Sequence, residues 1–205
     1  MKLLIPIAVC CILLSCQNKN DKKTAEKKED NPATETNRYK DLPKDSVVNS
    51  SFTTANGEKF LRFEIAFDKP VETVWNTFTA EKEMTNWMAQ KIKMDLRTGG
   101  TIQTVTPGFP DVTLGVPAYV PNELLIYKVK LNEAFTAKIR SEDKNLQEII
   151  QFHKVGANKS RITATMTGWG KGDAWDKIYT FFEKNNKCAY DVLIKYFQGS
   201  PAKWN

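Results

Sequence analysis

The segment from Asp173 to Phe197 runs without a glycine or a proline and carries one continuous apolar stripe. At about 100° per residue, Ile178, Tyr179, Phe182, Ala189, Leu193, Tyr196 and Phe197 all fall within about 60° of Trp175. Lys177, Glu183, Lys184, Lys187, Asp191 and Lys195 take the opposite side. This pattern predicts a long amphipathic helix, closed by Gly199 and then Pro201. Such a helix needs a broad apolar surface to cover its stripe, and the chain before it supplies one.

That preceding chain reads as strands joined by short turns. Asn56-Gly57 lies between Val47–Thr54 and Lys59–Phe67, and Asn-Gly between such runs is a strong hairpin signal. In the second run Leu61, Phe63, Ile65 and Phe67 alternate with Arg62 and Glu64, which predicts one dry face and one wet face. Pro70 opens a helix, where its missing N–H costs nothing, and Val71, Val74, Trp75 and Phe78 follow at helical spacing. A second short helix carries Met84, Trp87 and Met88. Strand-like segments then resume: Thr101–Thr106 after Gly99-Gly100, Val112–Tyr119 after the Pro107-Gly108-Phe109-Pro110 loop, and alternating Leu125, Tyr127, Val129 and Leu131. Phe135, Ala137 and Ile139 also alternate. Leu146–Val155 and Arg161–Gly168 flank Gly156-Ala157-Asn158-Lys159, a hairpin. Short links between consecutive strands predict an α+β fold with an antiparallel meander.

The N-terminus has a different character. Lys2 precedes an uncharged run from Leu3 to Leu14, with Ser15 at the cut, the layout of a secretory signal. The run is too short to span a bilayer, which takes about 20 residues. Leu13-Leu14-Ser15-Cys16 resembles the bacterial lipoprotein signal, which implies cleavage before Cys16 and acylation of that residue. Several acyl chains hold a protein firmly where one does not. Residues 1–15 are thus expected to be a signal peptide, 16–45 a lipidated cysteine with a flexible polar tether, 46–199 the folded domain and 200–205 a tail. Asn18 to Glu29 has no apolar residue but Ala25 and cannot offset its chain entropy by burial. The expected location is the cell envelope, anchored to the membrane outside the cytoplasm. About 190 residues remain after cleavage, enough for one domain with a real core.

The net charge is +6 with acids and bases interspersed, and no basic stripe supports nucleic-acid binding. Of the four cysteines only Cys188 lies beyond Cys16, so the domain is expected to rely on its core rather than on a disulfide.

The order of these parts resembles the helix-grip fold of the START-like (SRPBCC) superfamily, in the branch related to the C-terminal domain of the heat-shock-protein-90 ATPase activator. The resemblance covers roughly residues 58–199. Asp68-Lys69-Pro70-Val71-Glu72-Thr73-Val74-Trp75 is similar to the family's entry to its first helix, and Trp87 to its tryptophan after the second. Asp95-Leu96-Arg97-Thr98-Gly99-Gly100 resembles its Arg-x-Gly-Gly turn, and Gly115, Pro121 and Leu124 its central pattern. Gly168-Trp169, Trp175, Tyr179, Phe182, Asn186 and Leu193 are similar to its last strand and grip helix. The resemblance implies a curved antiparallel sheet around the long C-terminal helix, two short helices after the first domain strand, and a cavity between helix and sheet. Members commonly hold small apolar molecules there, and some catalyse cyclisations or hydrolyses. The lipoprotein signal and a strand added before the first depart from the pattern, and export is hard to reconcile with a cytosolic chaperone role.

Catalytic machinery is sparse. The single histidine, His153, shares strand parity with Gln151 and is expected to face water, which leaves no serine or cysteine triad. Cys188, at the edge of the helix stripe, reads as a small buried hydrophobe. No cluster has metal-ligand spacing, Gly99-Gly100 lacks the Gly-Lys-Ser/Thr of a phosphate loop, and Gly168, Gly170 and Gly172 lack a βαβ setting and read as a flexible corner. No cofactor or metal is expected.

The aromatic residues carry more weight. Ile178, Ala189 and Leu193 read as core, whereas Trp175, Tyr179 and Phe182 fit either core or ligand wall. Asn186, in the middle of the apolar stripe, either ties the helix to a facing loop or bonds a ligand or cavity water. The expected ligand-binding set is Trp87, Met88, Phe109, Tyr127, Trp169, Trp175, Tyr179, Phe182 and Asn186, residues that suit a dry site with a few polar anchors. The leading expectation is a membrane-tethered, non-catalytic binding domain for a small hydrophobic or amphipathic molecule. The rivals are a cavity enzyme using a carboxylate, Tyr127 or Arg97 at a strongly shifted pKa, and a protein-interaction module with a closed cavity and an exposed apolar patch.

Overall fold

The computed structural model describes residues 42–204. The expected signal, Cys16 and the tether up to residue 41 lie outside the described residues. The chain builds β1 (Val48–Asn49), β2 (Phe52–Thr53), β3 (Lys59–Phe67), α1 (Val71–Thr79), α2 (Glu81–Met84), β4 (Lys91–Met94), β5 (Gly100–Val105), β6 (Val112–Val120), β7 (Leu124–Lys128), α3 (Ala137–Glu142), β8 (Gln147–Gly156), β9 (Lys159–Thr167) and α4 (Asp173–Phe197). The strands form one antiparallel sheet in the order β1-β3-β9-β8-β7-β6-β5-β4, with β2 also on β3. This is the α+β helix-grip arrangement, a curved sheet around the terminal helix.

The expected first strand divides in two at Ser50-Ser51. The Ser51 hydroxyl accepts the Arg62 N–H at 2.9 Å, which turns the chain between β1 and β2 while both stay on β3. The Asn56-Gly57 turn has Gly57 at φ +82°, and Phe52 stacks on Phe60 across the hairpin at 4.8 Å. On β3 the dry face is as expected, with Leu61, Phe63, Ile65 and Phe67 all buried. The face expected to be wet is not uniformly so. Glu64 is buried against Arg161 of β9, with the guanidinium 3.3 Å from its carboxylate. Both strands are interior to the sheet, so neighbouring strands shield the pair.

Two further readings change. Phe135, Ala137 and Ile139 do not form a strand. Thr136 caps α3 by accepting the Ile139 N–H, and the apparent alternation belongs to a turn that runs into a short helix. β4 falls in a segment with no expected strand; exposed Lys91 and Lys93 alternate there with half-buried Ile92 and Met94 at the sheet edge. Lysines on an edge strand discourage further strand addition.

The long helix forms as its pattern requires. Trp175, Ile178, Phe182, Tyr190, Val192, Leu193 and Ile194 are buried. Its end is a Schellman turn: the Gly199 N–H donates to Tyr196 O at 2.9 Å and the Ser200 N–H to Lys195 O at 2.9 Å, with Gly199 at φ +86°. The segment expected to be a tail folds back instead. The Ala202 N–H donates to Asn86 O, and the Trp204 indole to Thr85 O, both at 2.7 Å. The glycine corner before α4 is close-packed at Gly168 and Gly170 and open at Gly172. A Cβ on Gly168, at φ +85°, would sit 1.9 Å from Asn145 O, and one on Gly170 would sit 2.1 Å from Trp175 Nε1.

Candidate functional site

A hollow of about 90 Å³ lies between α4 and the inner face of the sheet. Its first wall comes from the end of α1. The last carbonyls of a helix have no partner within it, and in α1 two of them are met by side chains from elsewhere. The Trp87 indole N–H donates to Thr77 O at 2.8 Å, and the Tyr127 hydroxyl donates to Phe78 O at 3.2 Å. Both rings line the hollow while their polar tips are committed to the helix end.

The second wall joins β8 to α4. Glu148 has the strand parity of Ile150 and Phe152, so its carboxyl points inward. The Tyr190 hydroxyl donates to Glu148 Oε1 at 2.7 Å, and the Asn186 amide lies 3.5 Å from the same oxygen and 3.1 Å from Met166 Sδ. No ion pair among the described residues includes Glu148. Burial pushes its carboxyl above the usual carboxylate range, with the Tyr190 hydrogen bond pulling the other way. Burial and, after it, the charge of Glu148 push Tyr127 and Tyr190 well above an ordinary tyrosine.

The third wall is the connection between β7 and β8, which crosses the hollow with Val129, Leu131, Asn132 and Phe135. The buried Asp143 carboxylate fixes it by accepting the Leu131 N–H at 2.7 Å. Phe135 packs against Phe181 and Phe182 of α4, ring centroids 5.8 and 6.4 Å apart. Asn132 Oδ1 accepts the Ala134 N–H at 2.9 Å. Its Nδ2 is buried and has no partner among the described residues.

Of the nine residues expected to bind ligand, Trp87, Met88, Tyr127, Phe182 and Asn186 border the hollow. Four lie elsewhere. Phe109 is half-buried in the β5–β6 loop. Trp175 is wedged against Gly170 and donates to Glu142 Oε2 at 3.0 Å, so it serves the core. Trp169 bonds Met166 O at 3.2 Å, and Tyr179 packs on it with centroids 5.1 Å apart. Ala189, read as plain core, borders the hollow. Arg97 is exposed beside Asp95 at 2.8 Å and does not border the hollow. His153 is half-buried near Thr163, the ring nitrogen 3.4 Å from its hydroxyl, rather than fully in water. Cys188 is half-buried. Glu148, Asn132 and Tyr190 were not singled out by the sequence. Glu148 could have been, because an acid on the dry parity of a strand is an anomaly of the same kind as Asn186.

Among the described residues no cluster of histidine, cysteine and carboxylates could hold a metal, and no helix is long and apolar enough to cross a membrane.

Similarity to known proteins agrees with this architecture. Residues 68–198 match the family model described as Activator of Hsp90 ATPase homolog 1-like protein. No curated protein matches the sequence significantly. Among solved structures, CalU16 from Micromonospora echinospora superimposes with a TM-score of 0.55 at 16% identity, covering 77% of this chain and 86% of that one. The Aha1 dimer from Colwellia psychrerythraea gives 0.53 at 15%, covering 69% and 95%. Protein MLL2253 from Mesorhizobium loti gives 0.57 at 13%, covering 69% and 98%. At these identities the structures speak to fold alone, while the sequence match spans most of the domain: the chain belongs to the Activator of Hsp90 ATPase homolog 1-like family, on the START-like helix-grip fold.

Proposed function

We propose that this chain is a non-catalytic binding domain for a small hydrophobic or amphipathic molecule, held at a bacterial membrane by lipid on Cys16. The observation that carries the reading is the hollow itself, apolar for most of its lining but holding an inward carboxyl and an unpartnered buried amide donor. A dry cavity of about 150 Å³ already admits benzene, and typical ligand pockets run to about 300–1,000 Å³. At about 90 Å³ this one takes a small molecule, or one end of a larger molecule after its walls yield. Met88 and Met166 line it, and methionine adapts readily to irregular occupants.

The test is native mass spectrometry of gently purified protein, followed by a panel of lipids and metabolites. A retained or captured small molecule that Ala189→Leu expels is the expected result. A protein that is repeatedly empty and ignores the panel overturns the reading. For the anchor, Cys16→Ala is expected to move the protein from the membrane to the soluble fraction; unchanged partitioning refutes it.

Glu148 favours one second reading, a cavity enzyme in which this carboxyl moves a proton. Turnover of a panel compound by the native chain but not by Glu148→Gln would establish it. The interaction-module alternative has less behind it: the large hydrophobic residues exposed among those described are Val120 and Val155, which make no broad patch.

A further inference from the structure

We infer that the molecule the hollow takes is an organic base, with a protonatable nitrogen set against Glu148. This rests on the hollow being a ligand site and goes on to say what class of ligand it selects.

The donor and acceptor inventory of the lining is one-sided. Trp87 Nε1, Tyr127 OH and Tyr190 OH are donors already spent on Thr77 O, Phe78 O and Glu148 Oε1. Glu148 Oε1 receives the Tyr190 hydroxyl and, at longer range, the Asn186 amide. Its carboxylate takes part in no ion pair among the described residues. Buried carboxylates are ordinarily paired with a cation, and here none is supplied. Lys130 borders the hollow but is exposed and makes no ion pair with Glu148. An ammonium or similar N–H group can donate a charge-assisted hydrogen bond to this carboxylate. The aromatic rings around it suit a cation as well as an apolar tail. Asn132 Nδ2, a buried donor of the lining without a partner among the described residues, takes an oxygen elsewhere on the ligand or a water. The global charge argues the other way, since a chain of net charge +6 repels cations. A preference for amines would therefore have a local origin.

The groups set against Glu148 are Tyr127 from β7 and Tyr190 and Asn186 from α4, while Lys130 borders the same hollow without pairing with it. Both tyrosines are neutral at ordinary pH, so the proton that the base and Glu148 share is not contested.

The test titrates the purified full chain with amines of rising size, propylamine, isobutylamine and benzylamine, each beside its matched alcohol. Binding is read from methyl NMR shifts of Met88, Met166 and Ala189. The expected result is at least a tenfold preference for one amine over its alcohol, reversed or abolished in Glu148→Gln. Equal binding of amine and alcohol overturns this inference and leaves the ligand cavity standing. A preference that survives Glu148→Gln also overturns it. Failure of every amine and alcohol to move these methyls overturns both. The amine–alcohol comparison on the native chain stands even if the variant does not fold.

Discussion

Replacing Tyr190 with phenylalanine removes one oxygen and leaves the ring in place. Tyr190 is 4% exposed, packs edge-on to Phe63 at 5.9 Å, and keeps those contacts as phenylalanine. What is lost is its 2.7 Å hydrogen bond to Glu148. A hydrogen bond to an ionised group contributes about 1.5–3 kcal/mol and one to a neutral group about 0.5–1.5 kcal/mol. The cost of the substitution should therefore depend on pH. Burial raises the Glu148 pKa in the folded state and the Tyr190 hydrogen bond opposes that rise, so the variant raises it further. A carboxyl raised on folding stabilises the protein below its unfolded pKa, and that stability is lost as pH climbs through the folded value. The substitution should then cost more near pH 8 than near pH 4: about 1.5–3 kcal/mol to the extent that Glu148 is ionised and about 0.5–1.5 kcal/mol to the extent that it is protonated. For a domain of this size, the larger figure is a fall in Tm of about 3–12 °C. Urea unfolding followed by tryptophan fluorescence at both pH values measures it. An equal cost at both would refute the reasoning, because it would mean that Tyr190 does not support an ionised Glu148.

Four further outcomes are expected. Glu148→Gln should flatten the pH dependence of stability and make the protein more stable than wild type near pH 8, as seen in urea midpoints; a loss at that pH contradicts the burial of an uncompensated charge. Arg161→Met strands Glu64 in a shielded position and should cost about 3–5 kcal/mol in urea unfolding, and a cost under about 1 kcal/mol would place that pair in solvent. Gly170→Ala drives a methyl into the Trp175 indole and should cost about 1–3 kcal/mol, with a shift in near-UV circular dichroism; no change would mean that the corner relaxes freely. At alkaline pH, tyrosines with raised folded pKa values lose stability as pH rises from their unfolded values through the folded ones. Tyr196, pushed up to about 12 chiefly by burial and then by its bond to Glu83, should contribute a transition that Tyr196→Phe removes from a pH-jump unfolding profile.

The sequence made the frame legible wherever periodicity and turn chemistry agreed. The α4 stripe, the Asn56-Gly57 hairpin, the Gly156–Lys159 turn and the alternation in β3, β7 and β8 are local signals, and each appears in the structure. It failed where a tertiary contact decided the outcome. Phe135, Ala137 and Ile139 alternate as a strand would, yet the Thr136 cap and the Phe135 contact with α4 make a turn and a helix. Trp204 carries no pattern, and only the Thr85 carbonyl shows that the C-terminus docks. In the site, Asn186 stood out because an amide on an apolar stripe is locally anomalous. Trp175 and Tyr179 shared that stripe, but its angular position does not say where along the helix the hollow lies. Asn132 was beyond reach, because the solitude of its amide arises from the fold.

The central claim is that a small molecule enters the space between α4 and the sheet. Titrating methyl-labelled protein with propylamine, isobutylamine and benzylamine, each beside its matched alcohol, addresses it directly. Saturable shifts at Met88, Met166 and Ala189, with Val120 and Val155 unmoved, are the expected result. Shifts confined to the exposed valines, or none at all, would contradict it.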